Sequence, residues 1–168
     1  LGGDPRLLPL VGVGAFLAML CGAATQFTVG RLIDRTTLKR IFLPVSALLV
    51  PGLVAVSYAQ GWLVLPVAAV VAAAIFGQVT VNETMTARYI SPALRTRMYS
   101  IRFFVGFLGA AAAAPLVAWL HERTGSLASA TLMMAGLGVV TLLCALAFPD
   151  REEELRPELW QQVPAAAE

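Results

Sequence analysis

The feature that most constrains this chain is a short, densely charged segment, Gly30–Arg40, placed between two long apolar runs. No charged residue occurs from Leu7 to Val29, or from Ile41 to Tyr58. A run of about 20 apolar residues is long enough to cross the hydrocarbon core of a bilayer as a helix. The pattern therefore predicts a hairpin of two membrane-spanning helices, with its charges at one membrane surface.

Composition extends this prediction to the whole chain. Hydrophobic residues make up 58% of the 168 residues and charged residues only 13%, whereas a soluble domain is nearer half apolar and a quarter charged. Spanning backbone must satisfy its own hydrogen bonds, and segments of this length are too long for barrel strands. We therefore expect an all-α, polytopic bundle followed by a cytoplasmic, disordered tail at residues 149–168. The five predicted spans are Leu7–Val29, Ile41–Tyr58, Trp62–Val81, Phe103–Leu120 and Leu127–Phe148.

The basic residues predict how the chain is threaded. They cluster in the first connection and in the third, Thr86–Arg102, whereas the second connection has none and the fourth has one, Arg123, beside Glu122. Because cytoplasmic loops carry an excess of Lys and Arg, the first and third connections and the C-terminus are predicted to be cytoplasmic, in a plasma or inner membrane. Since these residues border spans, no nucleic-acid partner is expected. No metal-ligand spacing is present, and no cofactor is expected.

The charged segment also resembles the cytoplasmic-loop signature of the major facilitator superfamily, which reads roughly G-x-L-x-D-R-x-G-R-K/R. Thr37 and Leu38 depart from that pattern, and the segment Pro92–Arg102 is similar to the loop between the tenth and eleventh spans of such transporters. The residues that fit the signature are Gly30, Leu32, Asp34, Arg35 and Lys39, and a further basic residue, Arg40, follows directly.

This resemblance implies that the five spans correspond to spans eight to twelve of a twelve-helix protein. The chain would then be most of the C-terminal half of a transporter that moves a small solute by alternating access. Its expected partners are the lipid bilayer, a small-molecule substrate and the missing N-terminal half.

The candidate site residues lie near the cytoplasmic ends of the predicted spans. An acid at such a position can accept hydrogen bonds from a basic side chain or from a helix N-terminus. We therefore expect Asp34, Arg35, Glu83 and Arg88 to form a charge network that holds one conformation and breaks in the other. Gly30 is expected to allow close helix approach. The alternative is that these charges only fix topology. The full candidate set is Gly30, Asp34, Arg35, Glu83, Arg88 and Arg95.

Few polar residues lie in or near the predicted spans. Gln26, Gln78 and Asn82 are candidates for lining a transport path, and hydrogen bonding between helices is the alternative role for such residues. A non-transport membrane scaffold or assembly subunit remains the rival function. A membrane-embedded enzyme is disfavoured, because no span carries a cluster of catalytic residue types.

Overall fold

The computed structural model describes residues 8–156. Within it the chain forms five long helices and no strand. All five are long and apolar enough to span a membrane, which confirms the predicted all-α polytopic architecture. The helices are α1 (Leu8–Ile33), α2 (Leu38–Tyr58), α3 (Val64–Tyr89), α4 (Pro92–Thr124) and α5 (Ala128–Ala147), with two 3₁₀ turns at Gly61–Leu63 and Glu152–Leu155.

The third connection differs most from the sequence-based prediction. The sequence pattern predicts a loop at residues 86–102, but α3 continues to Tyr89 and α4 begins at Pro92. Hydropathy marks the part of a helix that lies in hydrocarbon, whereas the backbone can remain helical beyond it, where charged side chains reach the headgroups and water. Pro92 suits a helix start because N–H groups in the first turn have no acceptor within the helix. The N–H that proline lacks therefore costs no hydrogen bond there.

Helices α1 and α3 run side by side in the same direction. A Cβ at Gly14 would lie 2.6 Å from Leu65 Cδ1, and one at Gly22 would overlap the ring of Phe76. Farther along the pair, Arg88 reaches the backbone oxygen of Ile33. Glycine at these contacts lets the two backbones approach closely, which is a common basis of helix packing in membranes.

Helix α2 runs antiparallel to both α3 and α5 and packs between them. A Cβ at Gly52 would lie 2.9 Å from Val71 Cγ2 on α3, and one at Gly138 of α5 would lie 3.3 Å from Val50 Cγ2. Near the C-terminus of α2, the hydroxyl groups of Ser57 and of Thr131 on α5 share a hydrogen bond, with 2.7 Å between their oxygens. The alternating directions agree with a chain that is threaded repeatedly across a bilayer.

Helix α4 lies at the margin of this bundle. None of its residues is buried, and large apolar side chains such as Phe104 and Phe107 are exposed. An apolar surface of this kind suits contact with lipid or with further helices.

Part of the segment predicted to be a disordered tail is ordered. Residues 152–155 form a 3₁₀ turn in which Glu154 is buried. This segment folds back onto the ends of the helices because its acidic side chains find donors there, as described below. The remainder of the predicted tail, residues 157–168, lies outside the described residues.

Candidate functional site at the charged end of the bundle

Helices α1, α3 and α5 end, and α2 and α4 begin, at the same end of the bundle, which we call the charged end. The topology brings there the two basic connections and the acidic segment that follows α5. Residues more than 100 positions apart in the sequence therefore come into contact.

The centre of this arrangement is Glu154, whose side chain is completely buried. Its Oε2 accepts a 2.7 Å hydrogen bond from the backbone N–H of Leu38 and lies 3.6 Å from Nη1 of Arg88. The hydroxyl of Tyr89 donates to its Oε1. A buried carboxylate is tolerated only when such donors replace water.

Glu154 also completes the N-terminus of α2. The residue at the N-cap position, Thr37, makes no capping hydrogen bond with its own side chain. The carboxylate of Glu154 takes that role on the N–H of Leu38, where the partial positive charge of the helix end favours an anion. The hydroxyl of Thr37 instead donates to Oδ1 of Asp150.

Further contacts hold the segment after α5 against α2. Arg40 lies 3.8 Å from Asp150 and 3.9 Å from Glu152, but these side chains are substantially exposed, so each pair contributes little. Nζ of Lys39 donates to the backbone oxygen of Leu146, at 3.1 Å. A cation at this end of α5 is favourable because unsatisfied carbonyl groups point towards it.

Aromatic rings cover the same region. The ring of Phe148 packs edge-on against Phe42 and Tyr89, with centroid separations of 6.2 and 5.5 Å. The guanidinium of Arg151 lies 5.7 Å from the centre of the Tyr89 ring. Arg88 also donates to the backbone oxygen of Ile33 at 3.3 Å. We call the set Thr37, Leu38, Arg88, Tyr89, Asp150 and Glu154 the clasp.

Of the residues predicted to form a charge network, the structure places only Arg88 in the clasp. The side chains of Asp34, Arg35 and Glu83 are exposed and make no hydrogen bond or ion pair with residues 8–156. The four residues are therefore not brought together within residues 8–156, and Arg88 is engaged instead by Glu154 and Ile33.

Gly30 and Arg95 complete the predicted set. Apart from its chain neighbours and the nearby backbone of its own helix, no atom of the described residues lies within 4 Å of a Cβ built at Gly30, so the expected close helix approach at Gly30 does not occur among residues 8–156. Nε of Arg95 donates to the backbone oxygen of Ile90 at 3.2 Å, which ties the start of α4 to the end of α3.

The three candidates for a transport path separate in the structure. Nε2 of Gln78 lies 3.4 Å from Oγ of Ser46, which favours the alternative role of joining α3 to α2. Gln26 and Asn82 are half-buried, and their side chains make no hydrogen bond within residues 8–156. Their part in a path stays a prediction.

Five helices, each long and apolar enough to span a membrane, define an integral, multi-pass membrane protein. The sequence model of the Major Facilitator Superfamily matches residues 2–166. The chain therefore belongs to this superfamily, whose members are transporters that carry small solutes across membranes. No curated protein and no solved structure matches the chain.

Proposed function

We propose that the chain forms most of the C-terminal half of a secondary transporter that moves a small solute by alternating access. The charged end faces the cytoplasm of a plasma or inner membrane, and the N-terminal half of the same transporter completes the path. The observation that carries this proposal is the family match, which spans residues 2–166 and so includes all five helices. In alternating access, one helical bundle rocks against the other around a central site.

The clasp suggests that the charged end contains two kinds of contact: some that stay fixed and others that form and break during transport. It joins the end of α1, the start of α2, the end of α3 and the segment after α5. A set of helices tied in this way moves as one body. The clasp is therefore a fixed part of the rocking unit, and the contacts that form and break lie elsewhere.

Asp34, Arg35 and Glu83 are suited to those changing contacts. Their charged groups are exposed and make no hydrogen bond or ion pair within residues 8–156. In the full transporter they pair with charged or polar groups of the N-terminal half in one conformation and separate in the other. This revises the predicted network by moving its partners to the other half.

Solute flux tests this proposal. Proteoliposomes containing the full-length protein are screened with a panel of radiolabelled solutes, and flux is then compared for Asp34→Asn and Glu83→Gln at equal reconstitution. Both variants are expected to reduce flux severalfold without lowering thermal stability, since neither side chain has a partner among residues 8–156. Arg97→Gln is the matched control, because Arg97 is also exposed on the charged end.

Two results would count against the proposal. If no solute in a broad panel is transported by a well-folded protein, a scaffold function is favoured over transport. If flux occurs but both acidic variants transport at the wild-type rate, transport stands and the gating role of Asp34 and Glu83 is wrong.

A further inference from the structure

Helix α4 contacts the rest of the bundle near the charged end through one narrow stripe. From Pro92 to Ala112 only Arg95, Tyr99 and Arg102 are half-buried, and the other residues of this stretch are exposed. Their spacing of four and three residues places them on one face of the helix. Two of the three side chains in this stripe are arginines.

The first two members of the stripe have partners on or beside α3. Arg95 donates to the backbone oxygen of Ile90, and Tyr99 donates to the backbone oxygen of Glu83, each at 3.2 Å. Arg102 lies three residues beyond Tyr99, about 4.5 Å farther along the helix axis. Its Nη1 is buried and has no hydrogen-bond partner among residues 8–156. The carboxylate of Glu83 does not pair with it within 4 Å and is exposed.

A buried guanidinium nitrogen without an acceptor is energetically costly. Arginine stays protonated under all ordinary conditions, and an unmade hydrogen bond of a buried polar group costs about 1–3 kcal/mol, more when the group is charged. The long apolar run of α4 begins at the next residue, Phe103, which is exposed. Arg102 therefore lies where the helix enters the headgroup layer, a level at which anionic groups are available.

We propose that the stripe of Arg95, Tyr99 and Arg102 is one wall of an anion site between α3 and α4, with Nη1 of Arg102 as its principal donor. The ligand is a phosphate group, whose oxygens match the planar fork of a guanidinium. Arg95, seven residues and about 10 Å away along the same face, adds positive charge to the site at longer range. The phosphate belongs either to an anionic phospholipid headgroup or to a dissolved anion. This inference does not depend on the proposed transport mechanism.

The test uses the full-length protein in dodecyl maltoside, a detergent without phosphate, and measures the midpoint of thermal unfolding. Phosphatidylglycerol is added in mixed micelles in one arm, and inorganic phosphate is added in the other, against chloride at equal ionic strength. We expect the wild-type midpoint to rise with at least one probe, and the apparent affinity to fall at least tenfold in Arg102→Met. Arg97→Met, which removes an exposed arginine of the same helix, should retain the wild-type response.

The two arms identify the source of the phosphate. A rise with phosphatidylglycerol alone assigns the site to a lipid headgroup, and a rise with inorganic phosphate alone assigns it to a dissolved anion. Without either probe, Arg102→Met should be at least as stable as the wild type, because an apolar side chain replaces an uncompensated charge.

Three results would overturn the proposal. The first is a wild-type protein that responds to neither probe. The second is an Arg102→Met variant that responds as strongly as the wild type. The third is loss of stability in Arg102→Met without probe, relative to Arg97→Met, because that loss would show that Arg102 already has a structural partner.

Discussion

Because Glu154 is buried and its neighbour Glu153 is exposed, we expect neutralising the two side chains to have very different effects on stability. The Glu154 side chain is fully buried and accepts hydrogen bonds from Leu38 and Tyr89 beside Arg88, whereas Glu153 is exposed. Glu154→Gln keeps the shape of the side chain but removes its charge. The change weakens a charge-assisted cap on α2 and leaves Arg88 without its counter-charge.

The expected loss can be estimated from these contacts. Removing one partner of a fully buried ion pair costs about 3–5 kcal/mol. The Arg88 side chain remains 22% exposed, so water compensates part of the loss and we expect about 2–3 kcal/mol. For a chain of 168 residues that corresponds to a fall of roughly 5–10 °C in the unfolding midpoint, and a longer protein shows a smaller fall for the same free energy. Glu153→Gln should change stability by less than about 0.5 kcal/mol, as is usual for an exposed position.

Thermal unfolding of the full-length protein in detergent, followed by circular dichroism, measures the difference between the two variants. A double-mutant cycle with Arg88→Met adds a second readout, because residues in direct contact give non-additive losses. The double variant should lose less stability than the sum of the two single variants. Equal midpoints for Glu154→Gln and Glu153→Gln, or strictly additive losses in the cycle, would refute the clasp as a stabilising unit.

The remaining predictions concern packing and orientation. Gly22→Ala should destabilise the protein by about 1–3 kcal/mol, because the new methyl group overlaps the Phe76 ring, as overpacking does elsewhere. Gly12→Ala should be neutral or slightly stabilising in the same unfolding assay, since beyond the local helix backbone no atom of residues 8–156 lies within 4 Å of the added methyl group and alanine favours a helix. Alkaline phosphatase fused after Gln60 should be active and a fusion after Thr37 inactive; the reverse pattern would overturn the predicted orientation.

The helices were predictable from the sequence because lipid leaves few alternatives to a long apolar helix. The helix ends were less predictable, because hydropathy indicates immersion in lipid and not backbone conformation. Helix α4, for example, begins at Pro92, although its apolar run starts at Phe103. The capping role of Glu154 was not predictable from the sequence, for a different reason. An acidic run after the last span is typical of a solvated tail, and only the folded topology shows that α2 presents an uncapped N-terminus to it.

Thr37 and Leu38, the two residues that depart from the superfamily signature, have a structural role in this fold. Thr37 and Leu38 are both fully buried, and they contact Asp150 and Glu154 of the segment after α5. A second glycine at position 37 would provide no hydroxyl for Asp150, and a basic side chain at position 38 would have to enter the apolar cluster around Val29 and Phe42. Thr37 and Leu38 therefore suit the contacts of the clasp better than the signature residues would. Asp34 and Arg35, which keep the signature, are left exposed beside it and available for contacts beyond residues 8–156.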